Sequence, residues 1–254
     1  MFLRRNQHRI HNSQFIIHNS QFNVLIKNNL KEVLASLKPG VELVAVSKYH
    51  PIEAAQEAYD AGQRVFGESR EQELRVKYES LPKDIRWHFI GHLQTNKVKY
   101  IAPYISMIEA VDSLKLLQEI NKQAQKCGRT IDVLLELHLA QEETKSGMTP
   151  DECEALLQEL AQRNASAETR LANVRIRGIM MMASNTDDEQ QIRKEFLQAN
   201  DFYNKVKDEY LPRKEYSFIN PKDFNVKSYG MSHDYLLAQE CGSNHVRVGS
   251  KIFN

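Results

Sequence analysis

A lysine stands where a short apolar segment ends, and its amine is the first group in the chain that could do chemistry. Leu43 to Val46 predict a buried strand, Lys48 follows it closely, and Pro51 then begins a segment with helical spacing. Alternation puts Lys48 on the same side of the strand as Val44 and Val46. A lysine that is partly removed from water there can act as a nucleophilic amine. On this segment alone, a solvated lysine at a strand end is the simpler interpretation.

Two segments near the end of the chain have the pattern of an anion site. Gly230-Met-Ser232 precedes a helical segment, which Ser232 is expected to cap and Gly242 to end. Gly249-Ser250 follows the last apolar segment, and its glycine allows a ligand to approach the backbone closely. A capped helix start offers free N–H groups to an anion, and in parallel barrels the loops after the last two strands frequently bind phosphate.

Arg247 lies between Val246 and Val248, so alternation turns its guanidinium into the interior of a barrel. A buried guanidinium needs an acceptor. Two acceptors stay open from the sequence, an internal ion pair, for instance with Glu136, and a ligand's ring nitrogen or phosphate. A lysine amine together with a phosphate site suits a phosphorylated aldehyde, and pyridoxal 5′-phosphate (PLP) fits that description.

Strand and helix patterns alternate along the chain after residue 23. A helix is predicted within 23–37, and the predicted strands are 42–47, 64–67, 86–91, 105–110, 131–139, 174–181, 227–231 and 245–249. The further predicted helices are 51–61, 69–79, 94–101, 113–127, 150–163, 187–209 and 233–241. This alternation, without a domain-scale break, predicts a single-domain α/β fold, a (β/α)8 TIM barrel over residues 23–254. Residues 210–227 form the least regular connection.

The fifth predicted strand alternates apolar and polar residues, so Glu136 and His138 are expected to point into the barrel near its mouth. Such groups need partners or a ligand, and the sequence leaves open whether they satisfy each other, bind neighbours or contact a ligand. His88 and His92 are four residues apart on a predicted strand, which is not the spacing of a metal pair, so we expect no metal site.

Composition bounds the location and the partners. The formal net charge of +1 gives no electrostatic reason to expect nucleic acid or a membrane as partner, and no apolar run reaches the ~20 residues of a spanning helix. Three cysteines without a Cys-x-x-Cys pair fit free thiols in a reducing cytoplasm. We expect a cytoplasmic protein that is a monomer or a weak dimer. Residues 1–22, with His-Asn-Ser-Gln-Phe occurring twice, are expected to form a disordered tail.

Several short segments, spread in order over residues 23–254, match one known family. They are Leu43-Val-Ala-Val-Ser-Lys48, Phe66-Gly-Glu68, Trp87-His-Phe-Ile-Gly-His-Leu-Gln94 with Asn96-Lys97, Val111-Asp-Ser113, Glu143-Thr-Lys-Ser-Gly147, Gly230-Met-Ser232, and Arg247-Val-Gly-Ser250 with Ile252-Phe253. On these segments the chain resembles the pyridoxal phosphate homeostasis family, the YggS/PROSC-like PLP-binding proteins. The resemblance implies a barrel like the N-terminal domain of alanine racemases.

The resemblance also implies roles for individual residues. It makes Lys48 the residue that forms the internal aldimine with PLP, Ser232, Gly249 and Ser250 phosphate contacts, and Arg247 a partner of the cofactor. Family members act as carriers or buffers of PLP in vitamin B6 homeostasis, without a settled catalytic activity. A binding protein rather than an enzyme is therefore implied, with PLP-dependent apo-enzymes as its possible recipients.

The chain departs from the family pattern close to the cofactor. Ser69 stands where the family usually has an asparagine, so an amide near PLP is replaced by a hydroxyl of shorter reach. Glu136 stands where glutamine is common, which adds a charge near the mouth. Lys145 matches a family lysine with an implied secondary role in cofactor exchange.

Two other functions would use the same lysine amine. A PLP-dependent racemase needs an acid/base group on each face of the cofactor; Lys48 serves one face, and we expect no second domain to supply a tyrosine to the other. A decarboxylase would use the same covalent bond to PLP. A Schiff-base aldolase acting on a sugar phosphate would use the amine and the phosphate site without an arginine facing a pyridine ring.

Overall fold

The strands and helices alternate from one end of the described chain to the other. The computed structural model describes residues 25–142, 145–165 and 171–254. Its strands are β1 (Glu42–Val46), β2 (Val65–Glu68), β3 (Arg86–Phe89), β4 (Met107–Val111), β5 (Ile131–Leu137), β6 (Val174–Met181), β7 (Val226–Ser228) and β8 (His245–Val248). Its helices are α1 (25–35), α2 (Ile52–Asp60), α3 (Glu71–Ser80), α4 (Val98–Ile101), α5 (Leu114–Lys126), α6 (Pro150–Ala165), α7 (Glu189–Lys205), α8 (Tyr235–Glu240) and α9 (Ser250–Phe253).

The sheet closes on itself in chain order. All neighbouring strands are parallel, and the register that pairs Val44 of β1 with Arg247 of β8 completes the barrel. The predicted (β/α)8 barrel is therefore confirmed. Seven predicted strands agree with the structure to within two residues at each end, whereas β7 ends three residues early, at Ser228. The chain turns soon afterwards because Gly230 has a φ of +100°, a conformation that favours glycine.

Apolar side chains fill two layers. The larger layer lies between the strands and the helices and includes Trp87 and Phe66, both fully buried. The smaller layer lies inside the barrel and consists of Met107, Ala110, Leu134 and Met180, with Met182 and Val226 packed against it. Alternation along each strand separates the two layers, as expected for a barrel whose centre is filled by side chains.

The connection between α7 and β7 is irregular, as its sequence predicted. A π-helical turn, Val206–Tyr210, extends α7, and a short 3₁₀ helix, Lys214–Tyr216, follows. The predicted tail, residues 1–22, lies outside the described residues. Within the described ranges, no helix is long and apolar enough to cross a membrane.

Candidate functional site

Lys48 lies in a turn two residues beyond β1, at the C-terminal ends of the strands, here called the rim. Val44 pairs in register with Arg247, whose guanidinium bonds to groups inside the barrel, so this face of β1 is the inner face. The Lys48 side chain is half-buried. Among the described residues its amine makes no hydrogen bond or ion pair, and the Tyr49 ring lies 5.8 Å from it. The amine is therefore available to a ligand.

The loops after β7 and β8 meet beside the strand that carries Lys48. The Gly249 N–H donates a hydrogen bond of 3.1 Å to Ser232 Oγ. Because that hydroxyl accepts in this bond, its own hydrogen is free to donate elsewhere. A Cβ atom on Gly249 would lie 2.9 Å from the carbonyl oxygen of Val46, so only glycine allows this close packing. Ser250 is exposed next to it as the first residue of α9.

The predicted cap of α8 is wrong. The helix begins at Tyr235, and Asp234 rather than Ser232 precedes it. Asp234 Oδ1 accepts a bond of 2.5 Å from the Met231 N–H, which fixes the turn between β7 and the helix. Ser232 is instead held by Gly249 of the neighbouring loop. That contact is distant in sequence, so the local pattern could not reveal it.

Arg247 is buried inside the barrel and has internal acceptors. Its Nη1 donates to the Ser228 carbonyl oxygen at 2.8 Å and to Ser228 Oγ at 2.6 Å, and its Nη2 donates to the Met181 carbonyl oxygen at 2.9 Å. Glu109 Oε2 lies 3.8 Å from Nη1. Glu109, and not Glu136, is the carboxylate paired with the guanidinium. These bonds use three of the five N–H groups, and the other two have no hydrogen-bond partner among the described residues.

A buried polar network extends from Arg247 deeper into the barrel. Glu109 Oε2 accepts from Ser228 Oγ at 2.6 Å, and Glu109 Oε1 lies 2.7 Å from His88 Nδ1 and 3.4 Å from His245 Nε2. The two imidazole rings stack with centroids 5.3 Å apart. We call Glu109, His88, Ser228 and His245 the Glu109 network. Local sequence patterns did not predict this network, although the lone acid Glu109 in the apolar strand β4 was the available signal.

Charge within the Glu109 network follows from burial and from close contacts. Burial alone would raise the pKa of Glu109, but His245 and His88 hold that pKa well below its ordinary value. Burial lowers the pKa of His88 and outweighs its hydrogen bond to Glu109, which raises that pKa.

Three residues of the Glu109 network also have atoms of the kinds that bind metal ions. His88, Glu109 and His245 each offer one such atom, and these atoms lie within 4.8 Å of one another. The distance of 2.7 Å between His88 Nδ1 and Glu109 Oε1 is that of a hydrogen bond, so these two groups bond to each other directly.

The buried imidazole of His88 predicts acid sensitivity. The unfolded chain protonates His88 near its ordinary pKa of 6.5, whereas the folded protein does so only at lower pH. The unfolded state therefore binds more protons in that window, so this part of the stability is present above pH 6.5 and is lost as the pH falls below it. In denaturant titrations across that range, His88→Gln should show a shallower loss of unfolding free energy than the unmodified protein. If the unfolding free energy of both proteins fell equally steeply with pH, His88 would not be the source of the acid sensitivity.

Glu136 and His138 lie near the rim, and each has one hydrogen-bonding contact with a residue of the loop after β5. Glu136 Oε1 accepts from Ser146 Oγ at 2.8 Å, and His138 Nδ1 lies 2.8 Å from the Lys145 carbonyl oxygen. Burial raises the pKa of Glu136, although Ser146 lowers it. Glu136 Oε2 is buried and has no hydrogen-bond partner among the described residues. The sequence left open whether the two side chains bind each other; they do not.

Ser69 lies just beyond β2 at the rim. Because Val46 pairs with Gly67, the residues after these strands, including Lys48 and Ser69, lie on adjacent segments of the rim. Ser69 is half-buried and lines a cavity of about 330 Å³. A Cβ on Gly91 would lie 2.8 Å from the Ser69 carbonyl oxygen, so the next loop packs tightly on this residue. The residues predicted as ligand contacts at this end of the barrel are Lys48, Ser69, Ser232, Arg247, Gly249 and Ser250.

Known proteins resemble the chain over nearly its whole described length. Residues 25–254 match the model of the alanine racemase N-terminal domain family. A pyridoxal phosphate homeostasis protein of Aquifex aeolicus is 36% identical over 213 residues, which cover 84% of this chain and 86% of the relative. The protein of the same name from Homo sapiens is 34% identical over 230 residues, 87% of this chain and 78% of the relative.

Solved structures of known proteins also resemble this chain. A solved structure of PipY from Synechococcus elongatus, with PLP bound, superposes on this chain with a TM-score of 0.76. The two sequences are 33% identical, and the match covers 90% of this chain and 100% of the PipY chain. Alanine racemase of Streptomyces coelicolor is 17% identical and superposes with a TM-score of 0.67; the match covers 91% of this chain and 58% of the racemase chain. The latter likeness shows a shared barrel fold.

Proposed function

Because this chain belongs to the alanine racemase N-terminal domain family and to the pyridoxal phosphate homeostasis proteins, we propose that it binds PLP at the rim and takes part in intracellular PLP homeostasis. Its proposed role is that of a carrier or buffer, which holds PLP covalently on Lys48 and releases it to apo-enzymes. The observation that carries the proposal is the Lys48 amine, which makes no hydrogen bond or ion pair among the described residues and lies two residues beyond Val46, against which Gly249 packs.

The chemistry of the rim fits the cofactor at both ends. When bound, PLP supplies an aldehyde that condenses with a primary amine, and a phosphate that carries negative charge. Lys48 provides the amine. The Ser232 hydroxyl, which keeps a hydrogen to donate, and the exposed Ser250 provide polar groups for the phosphate, and Gly249 permits close approach of the backbone. Arg247 adds a positive charge and two spare N–H groups.

Two further residues would contact the cofactor ring or its substituents. Ser69 can donate one hydrogen bond from the rim beside Lys48. Glu136 Oε2, buried without a partner among the described residues, can accept one from a ligand N–H or O–H group. An orphaned buried acceptor costs free energy, so a ligand that satisfies it gains affinity.

A carrier is favoured over a racemase or a decarboxylase. Curated relatives that share about a third of the sequence are named for PLP homeostasis and not for catalysis. The likeness to alanine racemases is confined to the barrel and to low sequence identity. We also propose that the protein acts in the cytoplasm, because Cys127, Cys153 and Cys241 are free thiols that suit a reducing compartment.

Binding and turnover can be separated in one series of experiments. The freshly purified protein should show the absorbance of covalently bound PLP, and borohydride should remove that band. Protein loaded with PLP and incubated with single L-amino acids should produce neither D-enantiomer nor carbon dioxide, as followed by chiral chromatography and carbon dioxide release. Sustained turnover of either kind would favour the enzyme, and a protein without the band would contradict covalent binding.

A further inference from the structure

The turn that carries Lys48 is held from outside the barrel by side chains of α3. Lys77 Nζ donates to the carbonyl oxygen of Ser47 at 2.6 Å. The N–H of Tyr49 donates to Glu73 Oε2 at 3.0 Å. The backbone on both sides of Lys48 is therefore bonded to residues four apart on one helix, which lie on the same face of it.

The ammonium of Lys77 belongs to a buried ion pair. Lys77 is 4% exposed and Glu68 is fully buried, with 2.7 Å between Lys77 Nζ and Glu68 Oε1. Ser47 Oγ donates to the same carboxylate oxygen at 2.6 Å. We call Ser47, Glu68 and Lys77 the turn clamp. A buried ion pair is weak evidence for stability, because the loss of hydration offsets much of the attraction. Its geometry suggests a different use, the fixing of one backbone conformation.

The turn needs such fixing. Tyr49 has a φ of +66° and is the one non-glycine residue in the described ranges with a positive φ. That conformation is unfavourable for a residue with a Cβ atom. The Tyr49 side chain is 65% exposed, so burial compensates little of this strain, although the Arg70 guanidinium lies 4.8 Å from its ring. The His50 N–H closes the turn with a bond of 3.1 Å to the Ser47 carbonyl oxygen. The bonds from Lys77 to that carbonyl and from the Tyr49 N–H to Glu73 fix this turn to α3.

We propose that Lys77, paired with Glu68, is a positioning residue for Lys48. By fixing the Ser47 carbonyl, the turn clamp directs the Lys48 amine toward the loops where Ser232 and Gly249 meet. The inference rests on the proposed function and adds a residue that does not touch the cofactor. Lys77 Nζ already bonds to the Ser47 carbonyl and to Glu68 on the helix side of the strands. Its loss should reduce bond formation with PLP more than binding of the phosphate.

The double variant Glu68→Gln/Lys77→Met tests this, because it removes both charges together and leaves no unpaired buried ion. The protein is equilibrated with PLP, total bound cofactor is measured by equilibrium dialysis, and the covalent share is measured by mass spectrometry after borohydride. We expect the ratio of covalent to non-covalent PLP to fall at least about tenfold, as for a reacting group displaced by a fraction of an ångström, while saturation still fills the site.

Arg177→Met is the matched control. Arg177 pairs with Asp132 at 2.6 Å, and its other acceptors, the Asp223 carbonyl oxygen and Asn225 Oδ1, precede β7, so the side chain lies toward the N-terminal end of the barrel, away from the rim. This variant should lower the melting temperature without changing the covalent ratio. Glu73→Ala removes the acceptor of the Tyr49 N–H, together with the surface ion pair between Glu73 and Arg70. It should change the ratio in the same direction by a smaller factor, even if the double variant fails to fold.

Three results would overturn the inference. A wild-type covalent ratio in both the double variant and Glu73→Ala would show that α3 does not position Lys48. Equal losses of covalent and total PLP would show that the clamp only supports the fold. If the unmodified chain bound PLP without any borohydride-trapped adduct, covalent attachment and this inference would both fail, and a chain that bound no PLP at all would refute the proposed function itself.

Discussion

Replacement of Lys48 by alanine is expected to abolish the covalent attachment of PLP. The fraction of chains that carry borohydride-reduced cofactor should drop from near unity to background. The physical reason is direct: the amine that would form the bond is removed, and a half-buried side chain at the rim contributes little to the core. Intact-protein mass spectrometry after reduction measures the effect. Weak non-covalent binding should persist, because Ser232, Gly249 and Arg247 remain in place.

Lys115→Ala serves as the control for this prediction. Lys115 is exposed on α5, so its loss should leave the trapped fraction unchanged. Should Lys48→Ala retain a full equivalent of covalent PLP, another lysine would be the attachment site. Lys145 is the next to examine, because it lies in the loop after β5 and matches the family pattern, although its amine donates to the Ala183 carbonyl oxygen at 2.6 Å and pairs with Glu142 Oε1 at 3.0 Å.

Arg247→Met should weaken both the fold and the cofactor site. The guanidinium is buried, and its removal takes the arginine partner from Glu109 and the charged donor from the carbonyl oxygens of Ser228 and Met181. Loss of one partner of a buried pair costs about 3 kcal/mol or more, which denaturant titration of the cofactor-free protein would detect. Loss of a charged donor to the ligand should also weaken PLP binding about tenfold.

The two effects of Arg247→Met are separable. Affinity is measured by equilibrium dialysis under conditions where the variant is folded, with Arg177→Met as a variant that loses stability alone. If affinity stays at the wild-type value while stability falls, Arg247 is a structural residue of the Glu109 network and the proposed ligand contact is wrong.

Much of the fold could be predicted from sequence because buried parallel strands leave a local signal. Each is a short apolar run bounded by turn residues, and that signal located all eight strands. The predicted seventh strand extends beyond the observed β7 because Tyr229 is fully buried, as a strand residue would be, yet lies after the last residue that pairs with a neighbouring strand and before the turn at Gly230. Burial and strand pairing are separate properties, and the residue pattern reports only the first.

Contacts between distant segments explain what the sequence could not reveal. Lys77 lies on a polar helix and reads as a solvated lysine, yet it is buried because Glu68 of the preceding strand meets it. Arg247 was correctly placed inside the barrel by alternation, but its carboxylate partner depends on the barrel closing, which brings β4 near β8. The prediction that Ser232 caps a helix was wrong because its partner, the Gly249 N–H, belongs to the loop after β8, which is distant in sequence.

The most direct test of covalent binding is to locate the cofactor on the chain. Unmodified protein loaded with PLP is reduced with borohydride and digested, and the peptides are sequenced by tandem mass spectrometry. We expect one modified residue, Lys48, at close to one cofactor per chain. Modification mainly at a different lysine, or no modification despite saturation with PLP, would contradict it.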